Sequence, residues 1–587
     1  MKKLINKPEH VVGEMCAGIV MAHPELEYVS KYKVIKKKAL NKSKVSLISG
    51  GGSGHEPAHA GFIGKGMLDA AVCGDVFASP SQIQVYQAIR ESAGEAGTLL
   101  IIKNYSGDMM NFKNAAFLAR EDGLSVDYVK VDDDIAVQDS LYTVGRRGVA
   151  GTVFVHKLAG AAAEQGSGLA EVKAVAEKTI ANVKSIGIAL SSCTVPAKGS
   201  PTFELGENEI EYGIGIHGEP GIKREALAGA REMVSRMVAS LCEELQVQAN
   251  GRVAVLVNGF GASPLMELYL LNGEVYRELS ARGISVARSF VGNYMTSIDM
   301  AGASVSILKL DGQLEGLLNS PCDTPALKVS GPAEAADFSA VIRDIDACGS
   351  ESAGISFEVQ TSAAHAVLDG GITLENLVYI VDVMSACVIK NEVPFCELDS
   401  HAGDGDFGMS VAKGFKQLKR EWASILAQPD QTIGGFLDAC SMVIMEHCGG
   451  ASGPIWGSAF RAAGKQAGAR TKLSVQEFAD MMQAAVKGIQ ATGERSFGRG
   501  ALAGDKTLID ALLPCADTWT SCAAAGEDAK TAFVKAAAAA VGGAKATENM
   551  VAKMGRAGTV GDRSLGHPDA GAYGLGVIFT EIAGALR

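Results

Sequence analysis

The chain has 587 residues, more than one hydrophobic core can serve, so we expect about two to four domains. Hydrophobic residues make up 47% and charged residues 20%, which excludes a disordered protein, and the net charge of −12 disfavours binding to nucleic acid or an anionic membrane. The twelve cysteines form no Cys-x-x-Cys pair and indicate neither zinc nor a disulfide framework. The N-terminus has no apolar signal segment and no run of about 18 apolar residues occurs, so we expect a cytoplasmic protein.

Short β-rich runs alternate with helical stretches over the first half, a pattern typical of α/β architecture. The predicted strands are 45–49, 98–102, 126–131, 186–190, 253–257 and 305–310. Ligands of such folds gather at the carboxyl ends of strands. We therefore expect a site in the segments that follow Ser49, Ile102 and Val257.

The first of these segments is glycine-rich, Ser49-Gly-Gly-Gly-Ser-Gly-His-Glu-Pro57. A dinucleotide fingerprint would need glycine at His55, and a Walker A loop would need a following Gly-Lys-Ser/Thr, so neither nucleotide motif fits. What remains is a loop after a strand that presents Ser53 and His55 to a ligand. A purely structural role for His55 is the alternative.

Two more segments carry chemistry in this half. In Lys103-Asn-Tyr-Ser-Gly-Asp-Met-Met-Asn-Phe112, Asp108 can accept a proton from a hydroxyl, or instead cap a helix. In Tyr212-Gly-Ile-Gly-Ile-His217-Gly-Glu-Pro220, the alternating residues predict a strand that reaches His217. His55 and His217 both stand in glycine-rich segments just before Glu-Pro, and we hypothesise that they pair in space.

After residue 310 the composition changes to a polar, proline-containing linker, and beyond about residue 360 strands almost vanish. Helical length and periodicity predict helices at 373–390, 409–428, 433–448, 455–469, 474–492, 506–524 and 527–553. The second half therefore reads as a helical domain with glycine-rich loops.

Three aspartates in this half share one glycine-rich segment, Glu397-Leu-Asp-Ser-His-Ala-Gly-Asp-Gly-Asp-Phe-Gly408. Carboxylate oxygens without histidine or cysteine suit Mg²⁺, which commonly bridges phosphates. A calcium EF-hand starting at Asp404 is excluded, because Phe415 would stand where a bidentate glutamate is required. A solvated polar turn is the alternative.

Two further glycine segments are expected to precede helices and to bind anions at the helix N-termini: Cys448-Gly-Gly-Ala-Ser-Gly-Pro454 and Gly504-Asp-Lys-Thr-Leu-Ile-Asp-Ala-Leu-Leu-Pro514. The second is not a Walker A loop, because Asp505 separates glycine from lysine. The segment 555–571 carries Arg556 and Arg563 and is expected to form either a lid over phosphates or a solvated loop.

Together, in this order, these motifs resemble the single-chain ATP-dependent dihydroxyacetone (glycerone) kinases, in which a substrate domain is fused to a helical nucleotide domain. The resemblance implies an α/β substrate-binding domain with two sheet-containing subdomains over 1–330 and a linker over 331–358. An all-α helical barrel that binds ATP and Mg²⁺ would follow over 359–587. It also implies a homodimer with exchanged domains.

In the substrate domain the resemblance implies that His217 binds the ketone carbon covalently as a hemiaminal. Asp108 would take the proton of the terminal hydroxyl, and His55 would hydrogen-bond the substrate and assist. An imidazole adds to a carbonyl but not to an alcohol, so such a bond would select a ketose over glycerol. The remaining pocket residues implied are Gly52, Ser53, Gly54 and Lys103.

In the helical domain the resemblance implies that Asp399, Asp404 and Asp406 hold two Mg²⁺ ions on the ATP phosphates. The implied nucleotide contacts are Phe407, Gly408, Met409, Ser410, Ala451, Ser452, Gly504, Leu513, Arg556, Asp569, Ala570 and Gly571. Phe407 and Ala570 depart from the family's usual threonine and proline. Phe407 removes a hydroxyl from the phosphate region.

Four alternatives stay open at this point. The ketose could be a tetrulose such as erythrulose, or the phosphate donor could be a phosphoenolpyruvate-dependent protein. The chain could also sense a ketose without turning it over, or cleave a dinucleotide to a cyclic product in the presence of Mn²⁺. The sequence favours none of these over dihydroxyacetone phosphorylation.

Overall fold

The computed structural model describes residues 2–138, 145–334, 337–343, 356–429, 431–554, 558 and 561–587. The chain divides into two compact units, one up to residue 346 and one from residue 347. Much of the predicted linker 331–358 lies outside the described residues, so the proposed boundaries at 330 and 359 stay predictions. In the described part of the chain, no helix combines the length and the apolar composition needed to cross a bilayer.

The first unit contains two six-stranded mixed sheets, as the resemblance implied. The first sheet has the order β1-β2-β4-β3-β5-β6, with strands Leu26–Val29, Val34–Lys37, Ser46–Ser53, Ala70–Val76, Thr98–Lys103 and Val126–Val131 numbered β1 to β6. Strands β4, β3, β5 and β6 are parallel, which brings their carboxyl ends to one edge. Every residue of β5 is buried, as expected of a strand covered on both faces.

The second sheet has the order β11-β10-β12-β7-β8-β9 and is parallel only between β10 and β11. Its strands are Val183–Ala189, Glu209–Tyr212, Lys223–Ala226, Arg252–Gly259, Ser285–Gly292 and Gly302–Lys309, numbered β7 to β12. All six strands predicted from the sequence are confirmed. The others were missed because they are short, polar or interrupted by glycine, and so lack the apolar run on which the prediction relied.

Eight helices of the first unit lie among the described residues: Val11–Ala22, Gln82–Ser92, Ser106–Glu121, Thr152–Glu164, Leu169–Asn182, Ala230–Leu245, Leu265–Ala281 and Gly312–Asn319, which we number α1 to α8. Helix α4 is buried along almost its whole length. Its apolar side chains share one core with residues of both sheets, for example Leu99 of β5 and Leu256 of β10. This common core fixes the two sheets relative to each other.

The second unit is helical, as predicted. Its described helices, numbered α9 to α18, are Leu374–Lys390, Glu392–Asp399, Phe407–Arg420, Trp422–Leu426, Ile433–His447, Ser452–Ala467, Val475–Phe497, Ile509–Ala524, Ala529–Ala546 and Ala570–Ala585. From α13 onward each helix packs against the next, while α18 packs on α9, α9 on α11 and α11 on α13. The eight long helices thus close into a ring, a helical barrel. Apolar side chains such as Trp456, Phe478 and Trp519 line its interior.

Three local predictions were wrong. The glycine segment after Ser49 is not a loop, because β3 continues to Ser53; a Cβ on Gly50 would lie 2.5 Å from the Val72 carbonyl oxygen, so glycine is what allows β4 to pair there. The strand expected to reach His217 ends at Tyr212, because Gly213 adopts a φ of +82° and turns the chain. The predicted helix 409–428 is two helices, α11 and α12.

Two helices, α10 and α18, were not among those predicted from the sequence. Pro394 lies in the first, and several glycines lie in the second. Both are nevertheless stabilised by burial in the barrel core, through Phe395 in α10 and through Leu575 and Ile578 in α18. Tertiary packing here overrides local propensity.

Candidate active site

Two histidines from distant parts of the first unit lie side by side. His55 follows β3, and His217 lies on the turn after β8. Their Nε2 atoms are 3.1 Å apart, and the rings meet edge to face. The hypothesis that these two histidines pair in space is therefore confirmed.

The outer nitrogen of each ring faces a group that can only accept a hydrogen bond. His55 Nδ1 lies 2.8 Å from the carbonyl oxygen of Thr296. His217 Nδ1 lies 2.8 Å from one carboxylate oxygen of Glu219, whose other oxygen accepts the backbone N–H of His217. Burial alone would raise the pKa of Glu219, but His217 and then Arg147 outweigh it and hold that pKa at about 2. Glu219 is thus ionised at neutral pH, and both Nδ1 atoms must carry a proton.

These contacts determine how many protons the histidine pair holds. A neutral imidazole has one N–H, so with both protons on Nδ1 two lone pairs would face each other at Nε2. The 3.1 Å contact is a hydrogen bond only when a further proton lies between the rings, and the pair would then carry one positive charge. Burial, with help from Lys103 and His217, lowers the pKa of His55 well below its usual value. Burial thus disfavours a positive charge on the His55 ring, while ionised Glu219 lies beside the His217 ring.

Two aromatic residues enclose the histidine pair. Phe77 stacks on His55, with ring centroids 5.2 Å apart, and meets His217 edge-on. Tyr105 contacts His217 edge-on from another direction, at 4.6 Å. Sequence reasoning missed Phe77, Tyr105 and Glu219, and of these only Glu219, two residues after His217, carried a usable signal.

Asp108 and Lys103 are buried close to these histidines, and both side chains face Gly51. A Cβ on Gly51 would lie 3.4 Å from Asp108 Oδ2 and 3.6 Å from Lys103 Nζ. Neither Lys103 Nζ nor Asp108 Oδ1 has a hydrogen-bond partner among the described residues. A buried polar atom without a partner costs about 1–3 kcal/mol, so both groups are suited to bind a polar ligand.

The same burial shifts both ionisation equilibria. Burial raises the pKa of Asp108, and Lys103 opposes the rise. Burial lowers the pKa of Lys103, and Asp108 opposes the fall. Asp108 stands in the first turn of α3, whose N-cap is Tyr105, so the alternative role as N-cap is wrong.

The three predicted pocket residues before His55 are Gly52, Ser53 and Gly54. The Ser53 hydroxyl and the Gly54 N–H already form hydrogen bonds within the protein. Ser53 Oγ donates to the Gly74 carbonyl, and the Gly54 N–H donates to the Glu56 carboxylate at 3.0 Å. A Cβ on Gly52 would lie 2.7 Å from the backbone nitrogen of Ala78. Their role as ligand contacts stays a prediction, while their role in bringing His55 close to Phe77 follows from the packing.

The three aspartates of the second unit form a cluster. Asp399 ends α10, Asp404 follows in a turn, and Asp406 immediately precedes α11. One carboxylate oxygen from each lies within 4.8 Å of the other two. Asp399 Oδ2 also accepts the backbone N–H groups of Gly405 and Asp406, which fixes the turn. An all-carboxylate group of this size fits Mg²⁺ by donor chemistry and does not fit zinc.

The cluster lies in a cleft of about 230 Å³. Of the predicted nucleotide contacts, those that line it are Phe407, Ser410, Ala451, Ser452, Asp569, Ala570 and Gly571. Gly408, Met409, Gly504 and Leu513 do not line it, and Arg556 lies outside the described residues.

Local packing explains why three of those residues miss the cleft. Gly408 faces the Glu392 carbonyl so closely that a Cβ would lie 1.9 Å from its oxygen. Leu513 packs against the barrel core, and Met409 is 56% exposed.

Phe407 has a structural reason for replacing the usual threonine. Its ring centroid lies 5.9 Å from that of Phe395, and a Cβ added to Gly574 would lie 3.4 Å from the ring. The ring thus packs between α10 and α18 while it lines the cleft.

Lys506 also lines the cleft, and sequence reasoning missed it. Its ammonium group donates to the carbonyl oxygens of Met550, at 3.1 Å, of His567, at 2.8 Å, and of Ser564. These bonds occupy its three donors, so Lys506 ties the segment before α18 to the cleft. A phosphate-binding role like that of a P-loop lysine is not what this geometry supports.

Asp569, the N-cap of α18, contributes negative charge to the same cleft. Burial raises its pKa to about 6, and the nearby carboxylates of Asp510 and Asp399 add to the rise. The cleft therefore favours a ligand that brings cations with it.

Comparison with known proteins places both units. Residues 17–326 match the family described as Dak1 domain, and residues 401–584 match the DAK2 domain. The chain is 52% identical to the dihydroxyacetone-binding subunit of a PTS-dependent dihydroxyacetone kinase of Listeria innocua, over 56% of this chain and all of that protein. It is 35% identical to the triokinase/FMN cyclase of Rattus norvegicus, over all of this chain and 99% of that one.

A solved structure is similar over the same length. The dihydroxyacetone kinase from C. freundii in complex with AMP-PNP and Mg²⁺ is 32% identical, with 99% of each chain covered and a TM-score of 0.59. The chain therefore belongs to the dihydroxyacetone kinase family, in the single-chain form that joins a Dak1 domain to a DAK2 domain.

Proposed function

We propose that this protein is an ATP-dependent kinase that phosphorylates a terminal hydroxyl of dihydroxyacetone or a close short-chain ketose. The observation that carries the proposal is the histidine pair, whose Nε2 atoms lie 3.1 Å apart near two atoms without a hydrogen-bond partner, Asp108 Oδ1 and Lys103 Nζ. In the proposal, one extra proton lies between the two rings. Family membership supports the phosphotransferase chemistry, and the carboxylate cleft supports ATP with Mg²⁺ as the donor.

In this proposal the ketose is first held as a hemiaminal. The shared proton moves to His55, and the freed lone pair of His217 Nε2 forms a bond to the carbonyl carbon. The carbonyl π bond opens, and its oxygen takes the proton from His55. Formation of the N–C bond places the positive charge on the His217 ring, where ionised Glu219 stabilises it, so the histidine pair supplies the one proton that the addition consumes.

In the next step of the proposal, the ketose held as a hemiaminal on His217 is phosphorylated. Asp108 accepts the proton of the terminal hydroxyl while that oxygen attacks the γ-phosphorus of ATP, and ADP leaves. Asp399, Asp404 and Asp406 would hold the metal, two ions by the resemblance, and Mg²⁺ supplies neutralisation and positioning of the phosphates. A homodimer is part of the proposal.

We expect a His217→Ala variant to lose at least about 100-fold in kcat/KM for dihydroxyacetone, because the covalent bond and the shared proton are both removed. A coupled ADP-release assay with ATP measures this, and calorimetry should give unchanged Mg-nucleotide binding. His23→Ala in the same unit serves as the control. Full turnover by the His217 variant at low ketose concentration contradicts the covalent mechanism.

The same assay separates the alternative functions. Running it across trioses and tetruloses defines the preferred ketose, with glycerol expected to be inert because it has no carbonyl. Ketose binding without ADP release from the intact chain would instead indicate a sensor, and a requirement for a phosphoenolpyruvate-dependent protein would exclude ATP as the donor.

The pH dependence of turnover should report on Asp108. The base must be ionised, and burial raises its pKa, so kcat/KM should fall as the pH drops through a value above the usual 3.8 of aspartate. Asp108→Asn should lower kcat by about 10²–10⁴-fold and remove that acid limb. Glu121→Gln, at the exposed end of the same helix, should keep the wild-type profile. An unchanged acid limb in the Asp108 variant would show that another group is the base.

Lys506→Met should weaken Mg-nucleotide binding by about 10- to 100-fold, because three carbonyl oxygens lose the donor that holds the segment before α18 over the cleft. Isothermal titration with a non-hydrolysable ATP analogue measures the affinity. Lys553→Met, an exposed lysine of the same segment, is the matched control. Equal affinities for both variants would mean that the anchor does not organise the nucleotide site.

A further inference from the structure

One side chain, Arg147, holds both ends of the turn that carries His217. Its Nη2 donates to the carbonyl oxygen of Gly213 at 2.8 Å, and its Nη1 donates to that of Pro220 at 3.4 Å. Gly213 begins the turn and Pro220 lies just after it. Since the guanidinium is rigid and planar, the two bonds fix the separation and the tilt of the two ends of the turn.

The charge of Arg147 is balanced by Asp134 inside the protein. The two side chains are 0% and 2% exposed, and Arg147 Nε lies 2.7 Å from Asp134 Oδ2. The second oxygen of Asp134 accepts the backbone N–H of Ala136, and the backbone N–H of Asp134 donates to the Arg147 carbonyl. The guanidinium therefore has a single orientation, aimed at the turn.

Arg147 also borders the carboxylate that orients the His217 ring. A Cβ on Gly215 would lie 2.0 Å from Glu219 Oε2 and 2.6 Å from Arg147 Nη1. Both side chains therefore contact Gly215 closely, and only glycine fits at this position. Arg147 is one of the charges that depress the pKa of Glu219. Asp134 pairs with Arg147, the charge of Arg147 acts on Glu219, and Glu219 lies at hydrogen-bond distance from His217 Nδ1.

We propose that Arg147 is a positioning residue for the covalent step: it touches no substrate, but it sets the turn and the Glu219 carboxylate so that His217 Nε2 points at the ketone carbon. This inference rests on the proposed function and adds to it a residue that acts through Gly213, Pro220 and Glu219.

The test compares Arg147→Met and Arg147→Lys with Arg146→Met. Arg146 is the adjacent arginine and forms an ion pair with Glu244 at 2.7 Å away from the turn, so its variant should behave as wild type. Arg147→Met should lower kcat/KM for the ketose about 100-fold or more and abolish the ketose mass increment in native mass spectrometry. Arg147→Lys keeps the charge without the planar fork and should recover only part of the loss.

A second variant distinguishes misfolding from a loss of His217 positioning. Arg147→Met alone strands a buried carboxylate, whereas Arg147→Met with Asp134→Asn removes both charges. The double variant should show the wild-type circular dichroism and unchanged Mg-nucleotide affinity, yet form no adduct. Its ¹⁵N spectrum should show the His217 ring exchanging between tautomers instead of one state. A folded double variant with wild-type adduct formation and a single ring state overturns the proposal.

Failure of the proposed function gives a different result. Wild-type protein that forms no adduct and releases no ADP with any ketose would refute the ketose kinase. The ring state of His217 in the Arg147 variants would still decide whether Arg147 positions that side chain, because it needs neither ketose nor ATP.

Discussion

The hydrogen bond between two imidazole rings is the constraint on which the proposed chemistry depends. The Nδ1–H of His55 donates a hydrogen bond to Thr296, and that of His217 donates one to Glu219. The 3.1 Å contact between the Nε2 atoms is therefore favourable only with one more proton. In the proposed mechanism, the free protein stores the proton that addition to a carbonyl consumes. An alcohol offers no carbon that the freed nitrogen can attack, so that mechanism would favour a ketose.

Both sheets of the first unit are needed to position the two histidine rings. His55 is carried by the first sheet, while Thr296 and His217 follow strands of the second sheet. The backbone N–H of Thr296 donates to the His55 carbonyl, and that of Ile298 donates to the Gly54 carbonyl. These bonds join the two sheets beside the histidines, and the buried helix α4 fills the core between the sheets. A shift of one sheet against the other would therefore separate the rings.

Much of this arrangement could be predicted from the sequence, because the groups that carry the chemistry stand in short glycine-rich motifs. Periodicity located six strands of the first unit and most helices of the second unit, and the aspartate segment pointed to a carboxylate cluster. Long-range contacts were out of reach: Phe77 touches His55 only because the packing brings it there, and Lys506 reveals its role only through carbonyl groups more than 40 residues away. Gly504, Gly408 and Leu513 show the opposite error, because motif membership did not reveal which way each residue faces.

The central claim, one proton shared by two oriented rings, is tested most directly by ¹⁵N spectroscopy of the histidine rings in the ketose-free protein at neutral pH. His55 and His217 can be assigned with single-residue variants. The account predicts that both Nδ1 atoms are protonated and that one further proton lies between the Nε2 atoms, so the four nitrogens carry three protons. Two neutral rings, with two protons on four nitrogens, would contradict it.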